Sequence, residues 1–233
     1  MTNNEAAPVI VGIVLFEGVT QLDLTGPYEV FARMPNTRVR LIAASRAPVR
    51  TEWGLTIIPD ASFDDAPHVD VLCVPGGWGV DACLEDERML TFLRARAEHA
   101  AYVTSVCSGA LLLGAAGLLR GYRATTHWMS LDLLPRFGAE PVRERVVRDR
   151  NRITGAGVTA GIDFALVVAA EMFGAPVAQA IQLAIEYDPA PPFDSGSPLT
   201  APAGVLEHIT TAGAGKLARR EEVVARAARA LGE

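Results

Sequence analysis

The chain has 233 residues, with 21 Lys+Arg against 27 Asp+Glu for a net charge of −6, and half of its residues are hydrophobic while only 6% are aromatic. These figures predict one domain with a large aliphatic core, rule out intrinsic disorder and give no electrostatic reason for nucleic acid or an anionic membrane as a partner. No run of ~18 apolar residues is long enough to span a bilayer, and the opening Met1-Thr2-Asn3-Asn4-Glu5 has no basic n-region of a secretory signal. Three cysteines, at 73, 83 and 107, and four histidines suit a reducing cytoplasm and argue against a disulfide framework or a structural zinc site.

Val9 to Phe16 is a near-continuous apolar run rich in β-branched residues, the pattern of a strand covered on both faces. Polar Thr20-Gln21-Leu22-Asp23 follows, and Gly26-Pro27 is expected to open a short helix through Val30 and Phe31. Val39–Ala43 reads as a second strand, Leu55–Ile58 as a hairpin or edge strand, and Val69–Val74 as another buried strand ended by Pro75-Gly76-Gly77. Met89, Leu90, Leu93 and Ala97 have helical spacing within Asp86–Glu98. Tyr102–Val106 is a strand running into Cys107, and Ser108–Leu119 is an Ala/Leu-rich buried helix with Gly121 as its stop. Ala124–His127 suggests a short strand and Trp128–Leu134 a helix. Val146–Asp149 and Arg152–Thr154 are spaced as a hairpin, and helices are expected over Ala160–Met172 and Val177–Tyr187. The Pro-rich segment 188–202 reads as extended surface chain. The terminal stretch 203–233 carries a helix over Val205–Leu231, expected to break or fray at Gly213 and Gly215. Strands alternating with helices predict a mostly parallel sheet with helices on both faces, within a single domain over 1–233.

Chemistry concentrates at Ser105-Val106-Cys107-Ser108-Gly109. A strand meets a helix there with almost no connection, and the residues two before and two after the cysteine are small, as a nucleophile elbow requires. Such an elbow projects its side chain at the carboxyl end of the sheet. The helix start behind Cys107 is expected to favour the thiolate. Cys73, inside an apolar strand, and Cys83, without an activating neighbour, read as buried small residues. Gly76 and Gly77, with Trp78 and Gly79 after them, read as a turn whose N–H groups face a developing anion. Asp23 sits among apolar residues just after the first strand, either as a cap or as a partly buried carboxyl with raised pKa that moves a proton. His127 is a hydrogen-bonded histidine near the site or a base beside the thiol. Ala156 and Val158, in Gly155-Ala156-Gly157-Val158-Thr159, belong to a helix-entry turn or to a pocket wall with exposed N–H groups. Trp78, Trp128, Tyr187 and Phe193 are candidate walls for an apolar ligand group.

From Val9 to about Pro202 the chain resembles the ThiJ/PfpI superfamily, which is related to class I glutamine amidotransferase domains. The resemblance is carried by Gln21–Pro27, Val74–Gly77, Thr104–Gly109, Ala124–Trp128 and Thr159–Phe164. Within the superfamily, Glu186–Phe193 and Gly196-Ser197-Pro198 are similar to the isocyanide hydratases. The resemblance implies a flavodoxin-like three-layer α/β sandwich, a cofactor-free enzyme, no metal, and a homodimer with its active sites near the interface. It implies that Cys107 is the nucleophile, Asp23 the acid and Ser108 a neighbouring hydroxyl, acting on a small isocyanide and water to give an N-substituted formamide through a thioimidate. Protease-like and glyoxalase-like relatives carry Glu where Asp23 stands, and PfpI-type relatives carry His directly after the cysteine; both departures weigh against peptide hydrolysis. Ser108 stands where the hydratases often have Thr, which keeps the hydroxyl. The alternatives are a glyoxalase, deglycase or amidase, a thiol stress sensor, and a ligand-sensing domain like that of AraC-type regulators.

Overall fold

The computed structural model describes residues 7–232; Met1–Glu5 and the last residue of the terminal stretch lie outside the described residues. Strand β1 (Val9–Val14) leads through a loop to α1 (Gln21–Phe31), then β2 (Thr37–Ala43). Two short strands, β3 (Val49–Arg50) and β4 (Thr56–Ile57), form an antiparallel hairpin, and β5 (Ala61–Ser62) adds to β2. Next come β6 (Val71–Val74), α2 (Val80–Cys83), α3 (Glu87–Ala97), β7 (Tyr102–Val106) and α4 (Gly109–Ala115). The paired β8 (Arg123–Ala124) and β9 (Glu140–Pro141) flank a 3₁₀ segment, Trp128–Phe137. The chain closes with β10 (Val146–Asp149), β11 (Arg152–Gly155), α5 (Ala160–Phe173), α6 (Ala175–Ala184) and α7 (Ala203–Leu231).

Seven strands make one sheet in the order β10-β11-β7-β6-β1-β2-β5. All neighbours are parallel except β10 on β11. Helices α1 and α5 pack together on one face, with α6 outside them; α3, α4, the 3₁₀ segment and α7 cover the other. The apolar runs of β1, β6 and β7 are buried because both faces are covered. This is the expected flavodoxin-like α/β sandwich. The chain order leaves β1 in opposite directions, to β2 on one side and β6 on the other, so a crevice opens beyond their carboxyl ends.

Several boundaries differ from expectation; the last expected helix before the Pro-rich segment ends at Ala184 rather than Tyr187, and the strand expected over Ala124–His127 covers Arg123–Ala124. Helix α1 starts at Gln21, five residues before Gly26, so Pro27 lies inside it. Asp23 N–H bonds to the Thr20 carbonyl (3.1 Å) and Thr20 N–H to the Gly76 carbonyl (2.9 Å), so a tertiary tie closes the first turn ahead of the proline. Pro27 merely withholds the N–H that would have met the Asp23 carbonyl. Helix α4 ends at Ala115 rather than Leu119. Gly117, at φ +77°, turns the chain, with Gly117 N–H on Gly114 and Leu118 N–H on Leu113, a Schellman arrangement. Helix α7 runs 29 residues without a break at Gly213 or Gly215. A Cβ on Gly213 would lie 2.5 Å from Met129 Cε, so that glycine serves a close packing contact and not a helix stop. The segment read as a helix from Trp128 is 3₁₀, and 188–202 has no regular element, as expected.

Candidate active site

Cys107 stands at the end of β7 with φ +55°, in the left-handed region that non-glycine residues seldom occupy. The surrounding backbone holds it there. Its N–H bonds to the carbonyls of Gly155 (3.1 Å) and Ala156 (2.8 Å), and its carbonyl accepts from Thr126 Oγ1 (2.7 Å). The small residue two positions on is also explained. A Cβ on Gly109 would lie 2.1 Å from the Val74 carbonyl oxygen, so a larger residue would push α4 off β6. The elbow read in the sequence is therefore present.

The loops after β1 and β6 are stitched together, and this places Asp23. Val19 and Gly77 form an isolated antiparallel bridge, and Gly76 N–H donates to Asp23 Oδ2 (2.9 Å). Asp23 is fully buried, and its Oδ1 has no hydrogen-bond partner. Burial pushes its carboxyl up to about 7, against the Gly76 N–H and the Cys107 thiol, which pull it down; the Glu52 charge adds a smaller upward push. Asp23 is thus a buried carboxyl beside the cysteine rather than a surface cap.

Cys107 differs from expectation in its ionisation. Burial and then the Asp23 charge push the thiol well above its ordinary range. The Ser108 N–H at the helix start and the Arg220 charge pull the other way and do not prevail. A helix start alone does not ionise the thiol of a cysteine that is only 7% exposed. Thiol and carboxyl resist carrying two negative charges side by side, so once the carboxyl has ionised they behave as a pair holding one proton.

The Gly76–Gly77 loop is also used otherwise than expected. Gly76 N–H is taken by Asp23, and Gly77 N–H donates to Ser108 Oγ (3.0 Å). Ser108 Oγ in turn donates to the Gly77 carbonyl (3.1 Å). These amides hold the site together and do not face a ligand as free donors. Ala156 N–H is likewise spent on the Arg145 carbonyl (2.9 Å), so Ala156 serves the site as an acceptor for Cys107.

A cavity of ≈ 170 Å³ opens over Cys107 and Ser108. Its walls are Trp53, Trp78, Met129, Val158 and Leu217, with Thr20, Glu52, Gly77, His127, Ser130 and Arg220 as the polar part. Asp23 and Gly76 lie behind this lining. His127 accepts the Met129 N–H at Nδ1 (3.3 Å), and burial followed by the Arg220 charge lowers it to about 4, so it is neutral near pH 7. A histidine so depressed is a poor base for a Cys–His pair. Trp78 faces the cavity as expected. Trp128 does not; it lines two neighbouring grooves. Tyr187 donates to Asp163 Oδ2 (2.9 Å), and Phe193 is 77% exposed, so neither is a wall here. Cys73 and Cys83 are buried, and burial pushes both thiols up to about 12.

Sequence reading missed Glu52 and Trp53, on the β3–β4 turn, and Leu217 and Arg220, on α7. Nothing local marks the turn residues. Arg220 did leave a signal, because it falls on the stripe Leu217–Val224–Ala227–Ala228–Leu231, where a helix faces its neighbours. Among the described residues no helix is long and apolar enough to cross a membrane, and no group of three His, Cys, Asp or Glu is placed to hold a metal.

The isonitrile hydratase of Pseudomonas putida is 54% identical over 221 residues, covering 95% of this chain and 97% of that protein. A crystal structure of a ThiJ/PfpI family protein from Pseudomonas syringae superposes with a TM-score of 0.91 at 44% identity, over 94% of this chain and 91% of that one. The HTH-type transcriptional regulator GbdR of Pseudomonas aeruginosa is 32% identical over 78% of this chain, which spans 51% of the regulator. Residues 9–171 match the DJ-1/PfpI family, and the chain belongs to that family.

Proposed function

We propose that this protein is an isocyanide (isonitrile) hydratase, converting R–NC and water to the N-substituted formamide R–NH–CHO. The observation that carries the reading is the pairing of an elbow cysteine under a small, largely apolar-walled cavity with a fully buried carboxyl whose Oδ1 has no partner. An isocyanide carbon is electrophilic, yet after attack that carbon bears the negative charge. A proton donor beside the carbon answers this need, and an oxyanion hole does not. That the Gly76, Gly77 and Ala156 N–H groups are already bonded is therefore no handicap.

The cycle runs through Cys107 and Asp23. The thiol proton passes to Asp23 as sulfur attacks the terminal carbon, and Asp23 delivers it to that carbon, forming one C–S and one C–H bond. The product is the thioimidate Cys–S–CH=N–R, with Asp23 ionised. Water then adds to the same carbon; Asp23 takes a proton from the water and returns one to nitrogen. The tetrahedral adduct collapses, the C–S bond breaks, and the hydroxyl proton returns through Asp23 to the sulfur. Formamide leaves and the pair is restored. Ser108 keeps the Gly77 peptide in place, which keeps the neighbouring Gly76 N–H on Asp23. Trp78, Val158 and Met129 hold the R group, with His127 as a neutral polar neighbour.

We also infer a single domain, since α7 packs on α2, α4 and the 3₁₀ segment, and we expect a cytoplasmic homodimer. Exposed Leu183, Phe193 and Leu199 are apolar surface that such a dimer would cover. Purified protein supplied with an alkyl or aryl isocyanide should release formamide, and should show a substrate-sized mass increase on Cys107 when trapped during turnover. Absence of formamide with every isocyanide tried, alongside turnover of methylglyoxal or a peptide, would replace this reading with a glyoxalase or amidase.

A further inference from the structure

Helix α7 lies beyond the residues matched to the family, yet two of its side chains, Leu217 and Arg220, reach the cavity. Arg220 is 4% exposed. All three guanidinium nitrogens donate: Nε to Asp81 Oδ1 (2.5 Å), Nη2 to the Gly77 carbonyl (3.0 Å) and Nη1 to Ser130 Oγ (3.3 Å). Its plane lies over the Trp78 ring, 4.6 Å from the centroid. A cation is costly to bury unless its partners are well placed, and here one of them, the Gly77 carbonyl, is also bonded by Ser108. The Gly77 carbonyl accepts from Arg220 and from Ser108, the Gly77 N–H returns to Ser108, and the adjoining Gly76 N–H holds Asp23. Each link from α7 to the proton-carrying carboxyl is thus a hydrogen bond or the short run of backbone from Gly77 to Gly76.

Charge makes a second argument. The ionisable groups around Cys107 are Asp23 on α1, Glu52 on the β3–β4 turn, Cys73 on β6, Asp81 on α2, His127 before the 3₁₀ segment, and Arg220. Cys73 and His127 are uncharged near neutrality. Arg220 is the buried cation in this set; Lys216 and Arg219 on the same helix are exposed.

We propose that Arg220 is a positioning residue for the hydration, locking the Gly76–Gly77 loop against the Cys107–Asp23 pair while its positive charge supports the negative charge the pair must carry. This rests on the hydratase reading for its activity arm, but not for its ionisation arm. Lysine is not an equivalent, because it keeps the charge and loses the planar fork that meets three partners.

The test uses the full-length protein and follows Cys107 alkylation by iodoacetamide against pH, read by peptide mass, beside isocyanide turnover. Arg220→Met should raise the alkylation midpoint by about half a pH unit to one unit, the low end of what a lost neighbouring charge does. Asp81→Asn should move it down, because the guanidinium loses its counter-charge. Arg220→Lys should leave the midpoint near wild type while kcat falls about tenfold with KM little changed, as expected when geometry and not binding is lost. If Arg220→Met does not fold, the lowered midpoint of Asp81→Asn and the lowered kcat at an unmoved midpoint of Arg220→Lys carry the test. Unmoved midpoints in the Met and Asn variants, or wild-type kcat in the Lys variant, overturn the inference. Wild-type protein without turnover overturns the hydratase reading instead, and the midpoints still decide the part played by Arg220.

Discussion

The wall of the cavity that carries Cys107 is built from backbone, whereas the wall facing it is built from side chains. On the sheet side, the cysteine is pinned through its own N–H and carbonyl, and Asp23 through Gly76, all of them buried. On the facing side, Met129, Leu217 and Trp53 are flexible or surface groups, and Trp53 is 85% exposed. The contrast separates two demands. In the proposed reaction, proton transfer to carbon tolerates little misplacement, which fits a pair held where the fold determines position several times over. Accommodation of a variable R group tolerates adjustment, so it is left to side chains that change rotamer without disturbing the pair.

If that division holds, substitutions on the backbone-built side remove the reaction while those of the apolar side chains opposite, Arg220 set apart, reshape its selectivity. The largest effect belongs to Cys107→Ala, which should lower formamide production on the order of 10⁴-fold or more, as loss of a covalent nucleophile does. Asp23→Asn should cost about 10²–10⁴-fold, the ordinary worth of acid–base help, and it adds a pH signature in stability. The Asp23 carboxyl titrates at about 7 in the folded protein against 3.8 as an ordinary carboxyl. Between those values the unfolded chain has released the proton and the folded chain has kept it, so stability is lost as pH rises through this window. Asparagine has no proton to lose. Urea unfolding at pH 4 and pH 8 should therefore show the Asn variant gaining on wild type at the higher pH. An equal gap at both values would mean that the buried carboxyl does not titrate as described.

The two walls were also unequally legible in the sequence. The elbow could be read because its constraints are local: an apolar strand, a cysteine, then small residues such as Gly109 where bulk would strike Val74. Asp23 was nameable by its apolar flanks, but its burial depends on the loop after β6, fifty residues away in the chain. The same non-local tie started α1 at Gln21, where propensity and Pro27 placed the start later. The amides of Gly76, Gly77 and Ala156 suggested free donors because a sequence shows that an N–H exists and not what it already bonds. The facing wall was almost silent. Glu52 and Trp53 reach the cavity only because a two-strand hairpin leans over it. Gly213 reads as a helix breaker in sequence because its partner Met129 lies on another element.

Gly213→Ala probes the facing wall from behind. The added methyl would meet Met129 Cε at 2.5 Å, and that atom is the free end of a flexible side chain. Helix α7 gains up to about 1 kcal/mol from alanine, which the displacement offsets, so thermal stability should change little. Met129 also lines the cavity, so its shift should narrow the space for the R group. The expected result is a several-fold fall in kcat/KM for a bulky aryl isocyanide and a smaller one for methyl isocyanide. Equal losses on both substrates would point to the Cys107 side and break the division.

Trp53→Ala should have the smallest effect and is the sharpest check that the exposed rim serves binding alone. The indole is 85% exposed, so its loss removes little buried area, and stability should stay within about 0.5 kcal/mol. It borders the cavity beside Glu52 and Thr20, where an aromatic face adds contact to an incoming apolar group. KM for an aryl isocyanide should rise a few-fold with kcat unchanged, and KM for methyl isocyanide should stay put, since a methyl group is too small to use the rim. A fall in kcat of the same size for both substrates would show that this turn helps to hold Glu52 against the Asp23 charge, and the rim would then belong to the reacting side.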